Sequence, residues 1–183
     1  MNRKLNLLFL SSTLLPCLLL HAADLPAPLL EVKPEMKPLG SATLHWLGMH
    51  IYDITLYSHE AAYTSNSTAI LSIRYNVSIK HRRLVDTTLK EWQKLGIGEK
   101  AKHEKWSKLL ESLWPDVKPG NSLIAFKRQD GPTQFYFGEK LLGEIEDSEF
   151  GPAFFAIWLD DRCSHPEVRD ELLGEKKTEE KGS

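Results

Sequence analysis

The 183-residue chain is 42% hydrophobic and 26% charged, which excludes a disordered or fibrous protein and fits one globular domain with a core of its own. Its formal charge is −2, and loss of Arg3 and Lys4 with the leader described next takes it to −4. Neither value gives an electrostatic reason for a nucleic-acid partner, and none is expected.

Arg3 and Lys4 precede an apolar run from Leu5 to Leu20 that ends in "HAAD", the pattern of a secretory signal peptide over residues 1–23, cleaved after Ala23. The run is interrupted by Ser11, Ser12, Thr13 and Pro16 and falls short of the ~20 residues of a spanning helix. A periplasmic or secreted location is therefore expected. Cys17 lies in the leader, which leaves Cys163 alone in the exported chain, so the core must hold without an internal disulfide.

Residues 24–39 carry four prolines and no periodicity, and an extended lead-in is expected there, with the folded domain running from 40 to 174. From Thr43 to Ser58 β-branched and aromatic residues predominate, with Gly48 at the break between two extended pieces. The next stretch alternates: Leu71, Ile73, Tyr75 and Val77 point one way, and Ser72, Arg74 and Asn76 the other. After Lys80 the period becomes helical, with Leu84, Thr88, Leu89, Trp92 and Leu95 on one face up to Gly96. A second helix buries Trp106, Leu109, Leu110 and Leu113 and stops at Pro115.

"KPGN" at 118–121 has Pro and Gly in the order of a type II turn. Strands at 122–127, 133–137 and 140–145 follow, with turns at Asp130-Gly131 and Gly138-Glu139. Asp147 or Ser148 caps a helix carrying Phe150, Phe154, Ile157 and Trp158, and a shorter helix spans 166–173. The mixed-charge tail, 175–183, reads as disordered. Strands, helices, strands and helices in that order give an α+β fold with an antiparallel sheet packed by helices on one face.

Outside the leader, the histidines, His45, His50, His59, His81, His103 and His165, lack zinc-site spacing, so no metal is expected. No phosphate loop or nucleophile motif occurs, and no cofactor is expected. "KHRR" at 80–83 puts four basic residues at a helix start, where the macrodipole disfavours them. Such a cluster is either a solvated helix end or a contact for an anion or an anionic lipid, so peripheral membrane contact is one expectation. Phe154, Phe155 and Trp158 are core residues or the walls of an apolar cavity.

Together, "LHWLGMHIYDITLY", "IRYNV", "LVDTTLKEWQKLGI", "DVKPGNSL" and "FGEKLLGEIEDSEFGPAFFAIWLDDR" resemble the chalcone isomerase-like family, in particular its exported bacterial branch, from Gly40 to Gly174. The resemblance implies an open-faced β-sandwich with a small-molecule cleft between sheet and helices. The plant isomerases use an arginine, a threonine, a tyrosine and an asparagine, and the related fatty-acid binders hold a carboxylate with an arginine and a tyrosine. On that alignment Tyr52 takes the binders' tyrosine position, and Lys80 and Thr87 fall at the later tyrosine and asparagine positions.

The chain has no arginine between Arg3 and Arg74, and the strand before Tyr52 offers only His45 in its place. Arg74, on the polar side of its strand, is a second source of the cation. The expectation is a non-catalytic exported protein that binds a small amphipathic molecule such as a fatty acid through Tyr52 and Arg74, with His45, Lys80 and Thr87 as further candidates. The alternatives are a ring-closing isomerase and a ligand-free periplasmic interaction module.

Overall fold

The computed structural model describes Leu25, Leu29 and residues 35–129 and 131–175. The expected signal peptide at 1–23 and the tail beyond Glu175 lie outside the described residues. Six strands, β1 (Lys37–Trp46), β2 (Met49–Ser58), β3 (Ala69–Tyr75), β4 (Ser122–Lys127), β5 (Thr133–Phe137) and β6 (Lys140–Ile145), form one sheet in sequence order. Every neighbouring pair is antiparallel. Four helices complete the α+β fold: α1 (His81–Leu95) and α2 (Lys100–Leu113) between β3 and β4, then α3 (Phe150–Leu159) and α4 (Pro166–Leu172).

Strand alternation decides what each face of the sheet carries. Ile54 and Leu56 of β2, Leu71 and Ile73 of β3, Leu123 of β4 and Phe135 of β5 pack beneath the helices in the main core. Helix α1 is tied down by Trp92, which is fully buried, donates its indole N–H to Ala153 O of α3 at 2.9 Å and meets Trp106 and Phe150 edge-on. Gly96, in the left-handed region at φ 66°, closes α1 where the sequence places its stop. Gly120, at φ 86°, sits third in the turn closed by Asn121 N–H to Lys118 O at 3.0 Å, which is the expected type II turn.

The opposite face is covered at one end. Tyr57, Ile70, Ile124, Phe126 and Tyr136 form a second apolar cluster with Leu25, Leu29 and Met36. Part of the proline-rich lead-in thus packs on the sheet, Leu29 lies in helical conformation, and β1 starts at Lys37, three residues before Gly40. No periodic signal announces this, because isolated leucines beside prolines reveal their burial only through the surface they cover.

Lys127, the last residue of β4, is 2% exposed. Its ammonium donates to Ser65 O at 2.6 Å and sits 5.2 and 5.4 Å from the ring centres of Tyr63 and Phe155. Burial pulls its pKa down from 10.5 to about 8, with Glu60 opposing. Between pH 7 and 9 the unfolded chain therefore binds more protons than the folded one, so stability rises with pH in that window. Urea denaturation at the two pH values is expected to show a gain of about 1 kcal/mol that Lys127→Met abolishes.

Candidate functional site

Beneath α1 and α3, at the end of the sheet where β2 begins, lies a partly open cavity of about 170 Å³. Leu44, Tyr52, Ile73 and Tyr75 of the sheet form its floor, and Leu84, Thr88, Trp114, Phe154, Ile157 and Trp158 enclose it. Arg83, Thr87, Glu91, Ser164 and His165 supply its polar side.

Tyr52 and Tyr75 are cross-strand partners with ring centres 5.9 Å apart, edge to face. The Tyr52 hydroxyl accepts a hydrogen bond from the Trp158 indole at 2.9 Å. Burial pushes its pKa up to about 12, with Trp158 opposing and the Glu91 charge adding to the rise. Burial, with Tyr52 adding to it, raises Tyr75 as well. At neutral pH both are therefore uncharged hydroxyls, able to hydrogen-bond a ligand and held far from giving up a proton.

Glu91 accepts the Ser164 hydroxyl, whose oxygen in turn accepts from Lys94 at 2.7 Å. Arg83 is exposed and makes no ion pair among the described residues. The buried Trp114 indole N–H has no hydrogen-bond partner there. The cavity is thus an apolar chamber with the Tyr52 phenol on its floor and, on its polar side, an Arg83 without an ion pair among the described residues.

The structure separates the expected site residues. Tyr52 and Thr87 line the cavity; the Thr87 hydroxyl donates to Arg83 O at 2.8 Å. Arg74 does not meet Tyr52: the register sets Tyr52 opposite Tyr75 and Arg74 opposite Asp53, so the arginine points to the other face. His45 also lies there, stacked on His50 at 5.2 Å, and Leu44 takes the inward place beside it. Lys80 is exposed, outside the cavity, and paired with Asp116 at 2.8 Å. The cation that faces the cavity is Arg83, from the "KHRR" run whose position at a helix start was its one visible signal.

Phe154 and Trp158 are cavity walls, whereas Phe155 turns away and stacks on Tyr63. On the outer face Asp53 accepts from Thr43 at 2.8 Å and Asn76 at 3.1 Å and bonds His50 at 2.7 Å. Partial burial works to raise the Asp53 carboxyl, but these bonds outweigh it and hold the group below the usual carboxylate range. No cluster of three metal-ligating side chains occurs among the described residues. Cys163 is buried and free, its thiol pushed up chiefly by desolvation.

The sequence model of the chalcone isomerase-like family matches residues 39–174. The chain belongs to this family. It is 27% identical over 143 residues to an uncharacterised protein of Haemophilus influenzae, a match that covers 78% of this chain and 70% of the relative. The crystal structure of an Arabidopsis thaliana fatty-acid binding protein superposes with a TM-score of 0.59 at 8% identity, over 76% of this chain and 87% of the plant protein. That likeness establishes the chalcone isomerase-like fold of the six-stranded sheet and its helices.

Proposed function

We propose that this chalcone isomerase-like protein is exported and binds a small amphipathic acid, such as a fatty acid, without catalysis. The carrying observation is the cavity itself, with apolar walls, the neutral Tyr52 hydroxyl on its floor and Arg83 on its polar side. A carboxylate there takes a charge-assisted bond from the guanidinium and a second from the phenol, while the alkyl or aryl body is desolvated against Ile73, Leu84 and Phe154. The fatty-acid binding protein of Arabidopsis thaliana supports the ligand class through its shared fold. Volume narrows it: about 170 Å³ lies below the ~300–1,000 Å³ of most small-molecule sites, which favours short acyl chains or a single ring.

Ring closure of a chalcone needs a fixed cation where a phenolate develops. The family arginine before the Tyr52 strand is missing here and Arg74 faces away, so no arginine of the sheet faces Tyr52. Chalcone absorbance is accordingly expected to fall no faster with the protein than without it.

Calorimetric titration with acids of increasing chain length tests the binding. Arg83→Ala is expected to weaken affinity by about tenfold or more, the loss of a bond to a charged group, and Tyr52→Phe by about fivefold. Arg74→Ala should leave it unchanged. Failure of the native protein to bind any such acid at micromolar concentration, together with an absence of co-purifying lipid by native mass spectrometry, would end this reading.

A further inference from the structure

The β1–β2 hairpin projects past the rest of the sheet. Pairing of β2 with β3 ends at Tyr52 and Tyr75, after which Asn76 N–H reaches Ile51 O, whereas β1 and β2 stay paired out to Trp46 and Met49. Its tip is apolar: Trp46 is 57% exposed, Leu47 85% and Met49 54%, three of the four large exposed hydrophobic residues among those described. Leu47 holds φ 49° ahead of Gly48 at 78°, a two-residue turn whose first position ordinarily goes to Asn, Asp or Gly. A leucine there costs about 1–2 kcal/mol of backbone strain and recovers nothing from burial within the chain.

Cations stand at the same end. Five residues after Tyr75 the chain reaches Lys80, His81, Arg82 and Arg83, and the bridge between Ile79 and Val117 brings Lys118 alongside. Asp116 engages Lys80 and His81, while Arg82, Arg83 and Lys118 are exposed and have no carboxylate partner among the described residues. The two features flank one opening, since Leu44 of the hairpin and Arg83 of α1 both line the cavity.

We infer that the hairpin tip docks the protein on an anionic lipid membrane, with Trp46, Leu47 and Met49 entering the headgroup layer and Arg82 and Lys118 lying against lipid phosphates. Tryptophan favours that depth because its ring is apolar and its N–H is not. An apolar wedge and a basic rim together supply the two signals that lasting surface attachment requires. No described helix is long and apolar enough to cross a membrane, so the contact lies on the bilayer surface. Docking in this pose turns the cavity mouth toward the lipid. It does not depend on which ligand the cavity holds.

The test is co-sedimentation of the protein, recovered as the exporting cell delivers it, with phosphatidylcholine vesicles with and without phosphatidylglycerol. Native protein is expected to bind the anionic vesicles and to be released by salt. The exposed triple variant Trp46→Ser, Leu47→Ser, Met49→Ser should lose about tenfold in partitioning with its circular dichroism intact, and Arg82→Glu and Lys118→Glu about fivefold each. Equal partitioning of native and triple-variant protein overturns the inference. So does a native dimer that ignores vesicles and dissociates on the same substitutions, which would make the tip a contact between copies. Acid binding without vesicle binding would overturn the docking alone.

Discussion

Phe154→Ala is expected to lower the unfolding free energy by about 3–5 kcal/mol and, in the protein that remains folded, to shift the preferred ligand toward longer or bulkier acids. Phe154 is 1% exposed and holds the centre of the aromatic core. It meets Trp114, Phe135 and Trp158 edge-on at 5.8, 5.3 and 5.3 Å and stacks on Phe150 at 5.8 Å. Truncation removes those contacts, and the void opens into a cavity that Phe154 already walls. The stability cost and the change in specificity thus share one cause. Urea denaturation reads the first, and titration with an acid series reads the second. Where the alanine variant fails to accumulate, Phe154→Leu is expected to show the same shift at about half the cost or less. Full destabilisation with an unchanged length preference would mean that ligand binds elsewhere.

The sheet was legible because β-branched and aromatic residues dominate β2, Leu71, Ile73 and Tyr75 alternate with Ser72 and Arg74 in β3, and the turns carry glycine where the backbone needs it, at Gly48, Gly120 and Gly138. The helices were legible through spacing: Leu84, Thr88, Trp92 and Leu95 recur at helical intervals and all four are buried. Tyr52 entered through the family resemblance, and the structure places it on the cavity floor beside Tyr75. Arg74 misled because alternation identifies a polar face without saying which face meets the helices. Only the pairing of Arg74 with Asp53, and of Tyr75 with Tyr52, settles that. In the sequence Arg83 is one of four consecutive basic residues and nothing local distinguishes it from Arg82; the direction of each side chain follows from how α1 is seated by Trp92 and Leu84. Ser164 and His165, in the connection between α3 and α4, lie 73 and 74 positions after Glu91 and carried no signal that they share a cavity with it.

Gly40→Ala is expected to cost about 3 kcal/mol or more, at or beyond the upper end for overpacking. A methyl group on Gly40 would lie 2.1 Å from Glu171 O and 2.5 Å from Leu172 O, both backbone atoms of α4, so no rotamer change can relieve the clash. The helix has to back away from β1, drawing the buried Val168 and Leu172 out of the core. Gly120→Ala is the matched control. That glycine adopts φ 86° but faces open space, so alanine there incurs only backbone strain, about 1–2 kcal/mol. The two substitutions add the same atom, and the difference between their denaturation midpoints isolates the close approach of α4 to β1. Displacing α4 also moves Ser164 and His165, which precede it on the cavity rim. Gly40→Ala should therefore weaken acid binding in the folded fraction, whereas Gly120→Ala, on a turn outside the cavity lining, should not. Equal costs at the two positions would show that α4 yields freely and that the rim is not held by its packing against the first strand.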